Sequence, residues 1–384
     1  MSQTSLFDHL KVQLHGLCAV TDADPDVAER LLGDLLGDAG TALRDRPPRW
    51  ASGVSDDHTP MEYSLAFHRG EGPTLRVLAE ALAVRPTLEA HLAAGQAFVR
   101  TQAARHGLAL DSFDRVRDLF TPIRPQHTFT VWQSLVFSLG RGPEFKVYFN
   151  PEISGTEQAP ALVRTALERL GLGASYQTLI KHSARAGELG RADRLAFFAL
   201  DLHGGAHARV KVYVARHDAT ADDMVRAAEA VRNVDAGELL DFCRIAGGGT
   251  SRFATLPLVG SYTFTTSTDE PVGYSLYVPI RGYVSDDEQA HDRVAAVLRR
   301  YGFATAGLDR AIAAVTGRPL RDGVGLLAHV SLRLGAPRPG VTVYLSAEAY
   351  RVRPPCTRPV PAPADLAVGR CMPQARPVRS ESCP

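Results

Sequence analysis

Polar and apolar positions alternate in two short segments that put a lysine and a tyrosine on one side of the chain. In EFKVYFNP (144–151) Lys146 and Tyr148 lie two apart within an apolar, β-prone run. RVKVYVAR (209–216) repeats the spacing with Arg209, Lys211 and Tyr213. On an extended strand, residues i and i+2 share a face. Burying a lysine on such a face is costly unless an anion meets it, and a solvent-facing strand is the plainer alternative. The chain uses arginine for most of its cations: of 43 basic residues only Lys11, Lys146, Lys181 and Lys211 are lysines, and two of those four open a Lys-Val-Tyr tripeptide.

The pattern belongs to a repeat. YSLYVPIR carries Tyr277 and VTVYLSAE carries Tyr344, so Tyr148, Tyr213, Tyr277 and Tyr344 follow one another at intervals of 65, 64 and 67 residues. TLRVLAEA places Arg76 70 residues before Lys146. A fivefold period of this length indicates repeated supersecondary units. The first strand of each hairpin is legible in EYSLAF (62–67), HTFTVWQSLVFS (127–138), RLAFFALDL (194–202), SYTFTTS (261–267) and LLAHVSLRL (326–334). Each is followed by a glycine-bearing turn and a partner strand, which predicts ten strands in five hairpins.

Helical periodicity fills the connections, at 159–172, 220–234, 287–302 and 308–317. DEQAHDRVAAVLRRYG opens with acids, closes with Arg-Arg and stops at glycine, as the helix dipole and C-cap favour. Residues 1–45 are predicted to form a helical segment packed on the sheet, 46–352 the main domain, and 353–384, rich in proline and patternless, a disordered tail. Ten antiparallel strands with helices between them escape the edge problem by closing into a barrel. A barrel of that size leaves a ligand-holding lumen. If the polar faces point inward, Arg76, Lys146, Arg209 and Lys211 converge with Tyr148, Tyr213, Tyr277 and Tyr344. Such a ring suits an oxygen-rich anion such as diphosphate, and the phenol faces suit a cation formed beside it.

Composition narrows the reading further. With 45% hydrophobic and 22% charged residues in 384, the chain has material for a large core. A net charge of +1 argues against coating nucleic acid or an anionic membrane. The N-terminus has an early acid and no unbroken apolar stretch, and no run of about 18 apolar residues occurs, so a cytoplasmic protein without a membrane span is expected. Five scattered cysteines (18, 243, 356, 371 and 383) fit neither a disulfide framework nor a zinc site. The acid pairs Asp222-Asp223 and Asp286-Asp287 read as helix starts and Asp56-Asp57 as a turn, so no metal site is expected. AGGGT (246–250) reads as a loop. Trp50 reads as a packing residue, and Trp132 as either packing or acceptor-pocket lining.

KVYFNP, RVKVYVAR, SLYVPIRGY and TVYLS, together with SDDHTPMEYSLAF (55–67), resemble the aromatic prenyltransferases of the dimethylallyltryptophan synthase type over roughly residues 45–350. The resemblance implies an α+β fold, the ABBA or PT barrel, with ten antiparallel strands around a lumen ringed by helices. It implies metal-independent Friedel–Crafts transfer of a dimethylallyl group from dimethylallyl diphosphate to L-tryptophan or a related indole, without a cofactor. Glu62, in MEYS, matches the carboxylate that holds the indole N–H. Arg76, Lys146, Arg209 and Lys211 match diphosphate-contacting positions, and Tyr148, Tyr213, Tyr277 and Tyr344 match positions that shield the cation or donate to diphosphate. The chain's length looks like the bacterial branch. Two departures stand out. The fungal base lysine has no counterpart between Arg124 and Arg141, where Gln133 occupies that region, leaving the released diphosphate, a water or His203 as proton acceptors. Ser275 replaces a glutamine in the third motif. Tyrosine, a cyclic dipeptide or another phenolic remains an alternative acceptor, as does a noncatalytic barrel for a phosphorylated metabolite. No nucleic-acid or membrane partner is expected, and a monomer or homodimer is.

Overall fold

The computed structural model describes residues 4–122, 124–125, 129–335 and 339–356. Ten strands form: β1 (Met61–His68), β2 (Thr74–Ala79), β3 (Val131–Phe137), β4 (Glu144–Phe149), β5 (Arg194–Asp201), β6 (Val210–Arg216), β7 (Leu258–Phe264), β8 (Gly273–Val278), β9 (Leu327–Gly335) and β10 (Gly340–Ser346). Each strand pairs antiparallel with its neighbours in sequence, and β1 closes the barrel on β10 with Ser64 opposite Tyr344. Among the described residues closure leaves no free sheet edge. At one end of the barrel the strands are joined by short turns. Gly70 and Gly140, 70 residues apart, occupy equivalent turns with φ of 78° and 69°, in the left-handed region that glycine enters without steric cost.

At the other end every connection is helical. Helices Leu88–His106 and Asp111–Val116 link β2 to β3, Ala159–Arg169 and Gly173–Ser183 lie between β4 and β5, and Ala221–Ala228 and Ala236–Gly247 between β6 and β7. Asp287–Arg300 and Ala306–Val315 lead into β9, while Leu6–Thr21 and Pro25–Leu36 precede β1. The acid pairs behave as helix starts: Thr220 and Asp223 form a reciprocal capping box, and the Asp286 side chain accepts from Gln289 N at 2.8 Å. Asp57 closes a turn, accepting from Thr59 N at 3.0 Å.

The hydrophobic core lies outside the sheet. In β2 and β4 every second residue is buried and its neighbour half-buried. The buried set, Leu75, Val77 and Ala79 with Phe145, Val147 and Phe149, faces the helices. Phe149 stacks on Phe120 at 4.5 Å and on Phe113 at 5.8 Å. Each such leucine, valine or phenylalanine side chain removed from water contributes about 1.5–3 kcal/mol. This apolar jacket stabilises the barrel from outside, so the inner face is free to carry polar groups. Among the described residues no helix is long and apolar enough to cross a membrane. At the C-terminal end, Val324 N donates to Arg353 O at 3.0 Å and Cys356 N to Ser285 O at 2.7 Å, so the chain is attached to the barrel to that point. The remainder of the expected tail, with Cys371 and Cys383, lies outside the described residues.

Candidate active site

The inner face encloses a cavity of about 350 Å³, within the size range of small-molecule sites. Glu62, Arg76, Lys146, Tyr148, Arg209, Lys211, Tyr213, Tyr277 and Tyr344 all line it. Strand register explains the convergence. Ser64 pairs with Arg76, Ser134 with Lys146, Lys146 with Asp201 and Ala199 with Lys211, so the inward residues of successive strands meet in one band.

The cations gather toward the turn end, which we call the floor. Asp201, the last residue of β5, bonds Lys146 Nζ at 2.9 Å, Arg209 Nε at 2.6 Å and His203 Nε2 at 3.2 Å. Burial opposes ionisation of this carboxyl, but Lys146, His203 and Arg209 together hold it well below the usual carboxylate range. Burial pushes the Lys146 ammonium down to about 8, with Asp201 opposing the shift and Arg209 and Arg76 adding to it. Lys211 is lowered well below its ordinary value, because burial is joined by the fields of Lys146, Arg209 and Arg76. Arg76 Nε is buried without a hydrogen-bond partner. Basic groups crowded beyond the neutralising power of Asp201 form a site for an anion.

Above the floor runs an aromatic waist. Ring centroids step from Trp132 to Phe197 at 5.5 Å, Phe197 to Tyr213 at 5.7 Å, Tyr213 to Tyr277 at 5.7 Å, Tyr277 to Tyr344 at 6.0 Å and Tyr344 to His329 at 5.9 Å. Tyr148 joins through Tyr213, their hydroxyls 3.4 Å apart. Burial raises the Tyr148 phenol to about 12 and those of Tyr213 and Tyr344 well above the ordinary value, so these rings stay neutral and offer π faces to a cation. Glu62, near the start of β1 between Leu78 and Ser346, is buried at the helix end, the mouth. Its Oε2 lies 3.9 Å from His329 Nδ1. Burial and the Arg281 guanidinium lower the pKa of His329, which favours the neutral ring.

Several lining residues were not singled out from the sequence. His329, Ser331 and Arg333 alternate inward on β9, and their i, i+2, i+4 spacing within LLAHVSLRL was the available signal. Asp201, Phe197 and Arg281 carry no local signature, and Asp56 reads from the sequence only as part of a turn. Trp132 lines the cavity and also packs, stacking on Phe129 at 4.0 Å. Gln133 faces outward, its Oε1 accepting from Ala81 N at 3.1 Å. It therefore does not stand in for the fungal lysine. His203 is exposed at the end of β5, tied to Asp201 rather than lining the cavity. Among the described residues no cluster of three or more His, Cys, Asp or Glu is arranged to hold a metal ion.

A closed ABBA barrel with a cationic floor, an aromatic waist and a carboxylate at the mouth is the architecture of an aromatic prenyltransferase. Residues 29–310 match the family model for tryptophan dimethylallyltransferase. A 6-dimethylallyl tryptophan synthase is 60% identical, with 93% of this chain and 100% of that one covered and a TM-score of 0.90. The 6-dimethylallyltryptophan synthase from Micromonospora olivasterospora, solved in complex with DMASPP and Trp, is 61% identical over 92% of this chain and 100% of that one, with a TM-score of 0.89. The 5-dimethylallyl tryptophan synthase from Streptomyces coelicolor, also with DMASPP and Trp, is 34% identical over 94% and 100%, with a TM-score of 0.85. The chain belongs to the tryptophan dimethylallyltransferase family.

Proposed function

We propose that this dimethylallyltransferase moves the dimethylallyl group of dimethylallyl diphosphate to carbon 6 of the indole ring of L-tryptophan. The observation that carries the reading is the polarity of the lumen, with cations at the floor, neutral rings at the waist and a buried carboxylate at the mouth. Position 6 rests on the two relatives of 60% and 61% identity that bear that name, against the 5-position relative at 34%.

Arg76, Lys146, Arg209 and Lys211 hold the diphosphate, and Arg333 lines the same end. The C1–O bond of the donor breaks with its electron pair leaving on the diphosphate. The resulting allyl cation lies against Tyr148, Tyr213, Tyr277 and Tyr344, whose faces stabilise it and whose walls exclude water. Glu62 accepts the indole N–H, orienting the ring and donating electron density toward the attacking carbon. Carbon 6 forms the new C–C bond and then gives up its proton to the departing diphosphate or to water. The family's chemistry is metal-independent, and the side-chain cations offset the charge of the leaving group here.

The test is incubation with dimethylallyl diphosphate and L-tryptophan in EDTA, with the product assigned by NMR. The expected result is 6-dimethylallyltryptophan at undiminished rate. A product alkylated elsewhere would overturn the position, and activity that vanishes in EDTA and returns with Mg²⁺ would overturn the mechanism.

A further inference from the structure

A second carboxylate sits behind the wall of the lumen, and the alkylation does not use it. Glu80 immediately follows β2 and is 2% exposed. Its backbone N–H donates to Pro60 O at 2.9 Å, beside the start of β1 and Glu62. Its Oε2 accepts from Ser52 Oγ at 2.6 Å and from Trp50 Nε1 at 3.0 Å. The Trp132 indole N–H is buried and makes no hydrogen bond, yet lies close enough to Glu80 to help hold its charge. Burial pushes the Glu80 carboxyl up to about 7, and these three neutral donors oppose the shift. Burying a carboxylate among neutral donors costs stability, so its place behind the lumen wall calls for another role.

Both segments that meet Glu80 also form the wall of the lumen. Gly53, Val54, Ser55 and Asp56 line the cavity with Glu62, and Trp132 lines it from β3. Ser52 passes the contact on, because its hydroxyl donates to Glu80 and accepts from Val54 N at 3.4 Å. The two walls touch: a Cβ placed on Gly53 would stand 3.4 Å from Trp132 Cζ2. The far end of the 52–56 segment is fixed separately, by Asp57 accepting from Thr59 N and from Tyr350 N, each at 3.0 Å. The near end is held by Glu80, by His58 Nδ1 at 3.1 Å from Ser52 O, and by packing of Trp50 on His91 at 4.5 Å. Of these contacts, the one to Glu80 also reaches Trp132. We propose that Glu80 is a positioning residue for the acceptor, setting the distance between the 52–56 segment and the Trp132 indole and so which carbon of the acceptor ring faces the allyl cation. This rests on the tryptophan reading above and deepens it, by naming a group that fixes the regiochemistry of that site. A misplacement of about 1 Å is enough to cost a hundredfold in rate at one carbon.

The experiment measures steady-state kinetics with dimethylallyl diphosphate and L-tryptophan, and product position by NMR, for the wild-type chain, Glu80→Gln and Ser52→Ala. Glu80→Gln keeps the size of the side chain but sets an amide NH₂ among groups that themselves donate. It should raise the KM for tryptophan about tenfold and leave the KM for the donor within about twofold. A second regioisomer should make up about a tenth of the product or more. Ser52→Ala breaks the same contact from the segment side and is the milder change. It should move both quantities in the same direction by a smaller factor, and it decides the matter if Glu80→Gln does not fold. A product identical in position to that of wild type in every folded variant would overturn the assignment, whatever happens to the melting temperature. So would an equal rise in the donor's KM, the mark of a general loosening of the barrel. Each variant is compared with wild type, so the test holds whichever carbon wild type alkylates. Failure of the underlying reading looks different: wild type would then prenylate no tryptophan.

Discussion

At the floor of the lumen Lys146 and Arg209 bond Asp201, with Arg76 and Lys211 lining the same cavity, whereas at the mouth Arg281 and Arg353 face Asp56, with Glu62 nearby. Both ends are built from ion pairs, but their balance differs. The floor gathers more cations than Asp201 neutralises, and burial depresses Lys146 to about 8 and Lys211 well below its ordinary value. At the mouth the acids and bases nearly match, and Asp56 stays ionised despite its burial because Arg281 and Arg353 surround it. An excess of buried cations is costly on its own. On the proposed function the floor awaits a multiply charged anion, while the balanced mouth takes a neutral ring. The difference separates donor from acceptor along one axis.

The comparison is most easily broken at the floor. Lys146→Ala or Lys211→Ala should each weaken capture of dimethylallyl diphosphate by roughly 1.5–3 kcal/mol, about tenfold to more than a hundredfold in kcat/KM for the donor. Unchanged donor kinetics in both would remove the floor from the mechanism. At the mouth, Glu62→Gln keeps an acceptor for the indole N–H but loses its charge. It should lower turnover of tryptophan by about tenfold with little change in the donor's KM. A matching loss in donor affinity would show that the two ends are not separate.

Titration sharpens the contrast. The Lys146 cation is present below about pH 8 and lost above it. Lys211 is also depressed by burial and the neighbouring cations, so its charge too is lost below the ordinary lysine range. The kcat/KM for the donor reports the free enzyme, and should therefore decline on the alkaline side by about pH 8. Asp201 raises the pKa of both lysines, so Asp201→Asn should move that decline to lower pH, and Asp201→Glu should largely restore it. An unmoved profile would mean that Asp201 does not hold the lysines charged. The smallest effect belongs to the waist: Tyr148→Phe removes a hydroxyl held at 3.4 Å by Tyr213 but keeps the ring face. A loss of only a few-fold is expected, and a loss as large as that of a lysine would make the hydroxyl a direct diphosphate ligand.

Much of this was written in the alternation of single strands. Lys146 and Tyr148, or Lys211 and Tyr213, declare a shared face within one tripeptide, and their recurrence at intervals near 65 residues declares the barrel. What local pattern could not supply was register between strands. Asp201 opposes Lys146 only because β5 pairs with β4 at that offset. Gln133 lies in the stretch where a base lysine would be sought, yet the parity of β3 turns it outward toward Ala81. Arg281 and Asp56 are 225 residues apart, both in turns, and nothing in either neighbourhood indicates the other. Arg333 and His329 were within reach, since they alternate on a strand that had been recognised, but LLAHVSLRL lacks the Lys-Val-Tyr signature that marked its neighbours.

The central claim, that side-chain cations in the lumen bind the diphosphate, is tested most directly by calorimetric titration of an unreactive donor analogue, dimethylallyl thiolodiphosphate, in EDTA. The wild-type chain should bind it without metal, and Lys211→Ala should bind it about tenfold to a hundredfold more weakly. Binding that appears only on adding Mg²⁺, or that is equal in the two proteins, would contradict the account.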